Sequence, residues 1–291
     1  MNYSLTTPEL SIQITKTGIE LCSIKSTKTG KEYIWQAEPS IWGSHAPILF
    51  PIIGALKDGN FIYKGVNYAL PKHGFVRHSG KPKLIKRSEK SLHFQLVWDN
   101  ETYKIYPFKF ELDITYQVSN KTVSVIHKVT NLDDKPIYYS LGGHPAFNCP
   151  LNTDEEYEDY YLEFEQQETA DTWLINKEGL LSGKTKPIIF NSNHLPLHKR
   201  LFDEDALIFK DLKSKSVSLV SKKSGSILTV AYEGFPYLGL WAKPSAPFIC
   251  LEPWLGITDS SDSDQTFRTK EGIQELNVGS TDTKSYSIII D

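Results

Sequence analysis

In the stretch F108-K-F-E-L-D-I-T-Y-Q-V118, Phe108, Phe110, Leu112, Ile114, Tyr116 and Val118 take every second position, with a polar residue in each gap. Successive side chains of a strand point to opposite faces, so this period gives one buried and one wet face. S119-N-K121 reads as a turn, and T122-V-S-V-I-H-K-V-T130 resumes the alternation, which predicts a hairpin. Similar signals recur at 11–15, 60–70, 91–98, 217–220 with 227–232, and 285–290, separated by Gly, Pro and Asn-Asp clusters. No helical stripe exceeds two turns; short helices are expected only at 154–160 and 165–170. Residues 151–201 are acidic and poorly periodic, and read as long loops with short elements. There is no internal repeat and no Pro/Ser-rich linker. The expected fold is all-β: one large antiparallel β-sandwich domain over 1–291.

Charge and cysteines narrow the function. The net charge of -3 comes without any block of five or six like charges, which argues against a phosphate-backbone partner. Cys22, Cys149 and Cys250 are odd in number and far from any CxxC spacing, so free thiols in a reducing compartment are expected. The first ten residues have neither the basic nor the apolar region of a signal peptide, and no apolar run approaches the ~20 residues of a membrane span. A cytoplasmic protein is expected, with no membrane or nucleic-acid partner and a monomeric or homodimeric state.

Several segments break the alternation and set ionisable side chains beside Pro or Gly: W42-G-S-H-A-P-I-L-F-P-I-I-G54, L70-P-K-H-G-F-V-R77, L141-G-G-H-P-A-F-N148 and F248-I-C-L-E-P-W-L-G-I-T-D259. Pro fixes φ and Gly permits positive φ, so such pairs end strands and aim side chains off a sheet. Glu252 is a lone carboxylate in an apolar, aromatic run. It is either the wet residue of an alternating strand or a desolvated general base. Trp254 beside it is of a type that stacks on the apolar face of a sugar. His144 and His73 are either structural turn residues or an acid and a hydrogen-bond donor in one pocket. His45 is a weaker candidate, and His127 reads as an ordinary strand residue. No HxH, HExxH or Cys/His cluster points to a metal, and no GxSxG, Walker loop or GxGxxG is present.

The ordered set H73-G-F-V-R77, G142-G-H-P-A-F147 and L251-E-P-W254, preceded by W42-G-S-H-A-P-I-L-F-P51, resembles the aldose 1-epimerase (galactose mutarotase-like) family, in its bacterial branch associated with lactose and galactose metabolism. The likeness spans nearly the whole chain. It implies a β-sandwich with a sugar cleft and interconversion of the anomers of a free aldohexose, without metal or organic cofactor. By the same resemblance Glu252 takes the proton of the anomeric hydroxyl, His144 protonates the ring oxygen and His73 steadies the charge there. Arg77 and Asp205 would bind sugar, with Asp203 and Glu204 as alternatives to Asp205. Many relatives carry an arginine just before A-P-I-L-F-P, where this chain has Gly43-Ser44-His45. A branch acting on hexose 6-phosphates gathers arginines; this chain has only Arg77, Arg87, Arg200 and Arg268, which favours a free sugar. The alternatives are a hexose-6-phosphate 1-epimerase and a non-catalytic sugar-binding protein on the same fold.

Overall fold

A computed structural model describes residues 2–291. The predicted hairpin forms as Phe110–Ser119 paired with Thr122–Asn131, with Asn120 at positive φ in the turn. Its inward residues Phe110, Leu112, Ile114, Tyr116 and Val118 are all buried. This hairpin lies within a nine-stranded antiparallel sheet. The order across it is Leu181–Pro196, Tyr160–Ile175, Ser216–Ser221, Gly225–Ala231, Thr281–Ile290, Thr122–Asn131, Phe110–Ser119, Ser91–Val97 and Lys83–Arg87.

A smaller sheet runs Leu207–Lys210, Tyr237–Trp241, Phe248–Leu255, Leu141–Gly143 and Ile48–Leu49, with Ala146–Asn148 also on Phe248–Leu255. Its inner face packs on the large sheet: a Cβ on Gly143 would lie 2.5 Å from the Tyr286 hydroxyl. One apolar core takes residues from both, Val123 and Ile288 from one and Phe147, Ile249 and Leu251 from the other. The central strand Phe248–Leu255 is covered on both faces, so all eight of its residues are buried. Three N-terminal strands, Tyr3–Thr6, Leu10–Ile14 and Leu21–Ser26, form a further sheet. The α-helix Asn100–Ile105 is one and a half turns long, started by Asp99, whose side chain accepts from the N–H of Glu101 and Thr102.

Two expectations fail. Residues 151–201 are not mainly loops: Tyr160–Ile175 and Leu181–Pro196 are two 16-residue strands of one hairpin at the sheet edge. Beyond Phe164 it is wet on much of both faces, and register shifts follow Glu163, so no period of two survives in the sequence. Only a 3-10 turn, Tyr157–Asp159, appears where helix was expected at 154–160, and 165–170 is strand. His127 sits in a strand as expected, packed on the core face and fully buried, and neither ring nitrogen has a partner among the described residues. No helix among the described residues is long and apolar enough to cross a membrane.

Candidate active site

The outer face of the small sheet floors a cleft of about 550 Å³. Glu252 and His144 both line it. Pairings Gly142↔Trp254 and Ala146↔Cys250 share one register, so the residues midway between them, His144 and Glu252, stand opposite each other. Pro145, with no N–H to donate, interrupts the strand there. The imidazole Nε2 lies 3.3 Å from Glu252 Oε2.

The glycines before His144 act by their lack of bulk, not by positive φ. Gly143 leaves room for Tyr286 in the core. Gly142 leaves room for Trp254 on the cleft side, where a Cβ would be 3.1 Å from the indole Cδ1. On the other flanking strand, a Cβ on Gly239 would be 2.5 Å from Cζ2 of the same indole. Trp254 therefore lies flat across its neighbours' backbones, and its Nε1–H donates to Glu252 Oε2 at 3.2 Å. Trp254 lines the cleft, although at 4% exposed it presents only a small part of its indole there.

Burial sets the electrostatics. Glu252 is 1% exposed, and loss of water pushes its carboxyl up to about 8, against the smaller opposing effects of the Trp254 hydrogen bond, Lys72 and Arg77. His144 is stacked on Trp42 at 5.1 Å and meets the edge of Trp241 at 5.8 Å. Desolvation, reinforced by Arg77, lowers its imidazole to about 3. A carboxylate that holds its proton so firmly is a strong base, and an imidazolium that releases its proton so readily is a strong acid. Neither charge is comfortable alone, so the pair holds one proton between them near neutrality.

His73 meets His144 edge-on at 5.5 Å. Its Nδ1 accepts from the Gly54 N–H at 3.1 Å, which leaves the hydrogen of the neutral ring on Nε2. Desolvation, then the charge of His144, holds His73 well below its usual range, so it stays neutral and is a fixed donor. The H-G dipeptide is a tight turn. Gly74 has φ +75, and a Cβ there would come within 2.1 Å of the Phe50 carbonyl oxygen.

Arg77 and Asp205 line the cleft, as does Asp203. His45 does not: its Nδ1 contacts the Trp35 carbonyl oxygen at 2.8 Å, which takes the ring away from the site. Sequence reasoning left out Trp42 and Trp241 as walls around His144. Trp42 was within reach, since it heads the W-G-S-H-A-P motif. Trp241 ends an ordinary strand, and nothing local marks it. The cluster His144, Cys250 and Glu252 has donor atoms within 4.8 Å of one another, but Cys250 is a buried thiol driven well above its usual range by desolvation.

The two packed antiparallel sheets, with a buried carboxylate and imidazole facing each other in a cleft on the smaller one, form a galactose mutarotase-like β-sandwich. The aldose 1-epimerase family profile matches residues 1–264, and the chain belongs to that family. Two curated relatives, the chromosomal and plasmid LacX proteins of Lactococcus lactis subsp. lactis, are each 38% identical over 100% of this chain and 99% of their own. A galactose mutarotase related enzyme from Lactobacillus acidophilus superposes with a TM-score of 0.95 at 33% identity, covering 100% of this chain and 97% of that one. A galactose mutarotase-like protein from Lactobacillus casei gives 0.93 at 29% identity, with both chains fully covered.

Proposed function

We propose that the protein interconverts the α and β anomers of a free aldohexose by acid–base ring opening. The observation that carries this reading is the cross-strand pair: a buried carboxylate of raised proton affinity facing an imidazole of lowered affinity in a sugar-sized cleft. Glu252 takes the proton of the C1 hydroxyl. The C1–O5 bond breaks as C1=O forms, and His144 gives its proton to O5. The aldehyde turns about C1–C2 and closes on its other face with the two proton transfers reversed. No change of oxidation state is involved, so the scheme calls on no redox group. His73 Nε2–H steadies charge at the ring oxygen, Trp42 offers a π-face to the transient imidazolium, and Arg77 and Asp205 hold sugar hydroxyls.

Glu252→Gln tests this. The amide keeps the shape and an oxygen to accept from Trp254 but cannot take a proton. Anomer exchange of fresh α-D-galactose and α-D-glucose, followed by polarimetry, should be accelerated by the native protein and not by the variant, while sugar binding persists. Retention of most of the native kcat would remove Glu252 as the base. Acceleration confined to glucose 6-phosphate or galactose 6-phosphate would replace the free-sugar reading.

A further inference from the structure

Arg77 is influenced by two carboxylates, Glu20 and Glu252. Among the described residues its guanidinium makes a short ion pair with neither. Nη2 donates instead to Ser44 Oγ at 3.1 Å. Ser44 is anchored in turn through its two C-terminal neighbours. The backbone N–H groups of His45 and Ala46 both donate to Glu20 Oε1, at 2.5 and 2.7 Å. Gly18 lies against the other end of the same arginine, where a Cβ would be 2.4 Å from the Arg77 carbonyl oxygen. The segment 18–20 thus touches both the arginine's backbone and the loop that holds its side chain.

We propose that Ser44 and Glu20 are positioning residues that hold the Arg77 guanidinium short of an ion pair with Glu252, and so keep Glu252 a strong base. A guanidinium closed onto a carboxylate makes a charge-assisted, often bidentate pair that strongly favours the ionised form. Such a pair in this cleft would strip Glu252 of the basicity that ring opening needs. The inference rests on the reading of Glu252 as the base. The charged and titratable groups around Glu252 are His144, His73, Cys250, Lys72, Arg77 and Asp205; around Arg77 they are Glu20, Glu252, His73, His144 and His78. Removing either tether frees a cation, whereas removing Arg77 deletes one, so the two kinds of variant act on Glu252 with opposite sign.

The test reads Glu252 directly, by titration of the 13C-labelled glutamate δ-carboxyls in the full chain, with the signal assigned by its loss in Glu252→Gln. Anomer exchange is measured on the same samples. Ser44→Ala should lower the Glu252 midpoint by about one pH unit or more, the range for a cation brought beside a carboxylate, and should reduce kcat. Ser44→Thr, which keeps the hydroxyl, should restore both. Glu20→Gln keeps an oxygen for both N–H donors but loses the charge that draws the guanidinium away from Glu252, and should shift the midpoint the same way. Arg77→Met should raise the midpoint, and Ser44→Ala should then have no further effect. An unchanged midpoint in Ser44→Ala, or a shift that persists in the Arg77→Met background, overturns the proposal. Midpoints that move as stated in a protein without anomer exchange would uphold the tether and reject the functional reading instead.

Discussion

Gly239→Ala adds one methyl group to a residue that no chemistry would single out. The new Cβ would lie 2.5, 2.7 and 2.9 Å from Cζ2, Cη2 and Cε2 of Trp254. Ordinary contact begins at 3.4 Å, so the indole must retreat by 0.9 Å (3.4 minus 2.5). Behind it lie the Gly142 backbone and the small apolar cluster of Leu49, Ile53, Leu181, Ile208 and Ile257. Overpacking of this kind costs about 1–3 kcal/mol. The Nε1–Oε2 hydrogen bond is already 3.2 Å, and a shift of that size breaks it. That bond is the largest of the influences that lower the proton affinity of Glu252, so its loss moves Glu252 still further up. Urea unfolding should report the loss of stability, and the rate profile should show its alkaline limb displaced to higher pH. Gly80→Ala is the control, since nothing lies within 4 Å of its Cβ and its φ is unstrained. If Gly239→Ala is as stable as Gly80→Ala and has the native pH profile, the indole is not braced by the glycine and the argument fails.

Other outcomes arise from the same contacts. On the proposed mechanism the His144–Glu252 pair works with one proton between its members, so kcat/KM should be level through neutral pH and fall above about 8 as Glu252 loses its proton with His144 already neutral. A simple base would lose activity on the acid side near neutrality; that limb should instead lie far lower, and a steep fall between pH 7 and 6 would refute the shared proton. Glu252 is ionised above about 4.5 when unfolded but holds its proton to about 8 when folded, so it withdraws stability as pH rises across that window. Glu252→Gln should therefore gain on the native protein in chemical denaturation between pH 5 and 8; a constant difference would count against the raised proton affinity. His127→Leu removes two unpartnered buried nitrogens and should stabilise by about 1–3 kcal/mol at pH 7. Folded His127 charges only near 4, so the unfolded chain gains protons first as pH falls below 6.5, and the variant's advantage should grow by about 2 kcal/mol at pH 5. Equal stabilities at both pH values would show that the ring is satisfied.

Where a strand has one wet face, the sequence is a fair guide to the fold. Phe110–Ser119, Thr122–Asn131 and Ser91–Val97 fall where the alternation put them. The Tyr160–Ile175 and Leu181–Pro196 hairpin did not, because much of it has no dry face and its bulges shift the phase. At the site, Glu252, His144 and His73 were legible as ionisable residues among Pro and Gly. That His144 stands across from Glu252 was not, since register between segments over a hundred residues apart leaves no local mark. His45 shares a motif with Trp42, yet one side chain enters the cleft and the other turns to a carbonyl; adjacency in sequence does not say which.

The seat of Trp254 has a consequence for anyone moving this chemistry to another scaffold. Its indole rests on two strands that contribute no side chain at the contact, Gly142 on one flank and Gly239 on the other. Grafting the glutamate, the two histidines and the tryptophan onto a sheet whose flanking positions carry a Cβ would reproduce the ingredients and misplace the carboxylate. The transferable unit is a patch three strands wide with two gaps in it. An inventory of functional groups records the residues that fill space, and in this protein the aim of the carboxylate depends as much on the places left empty.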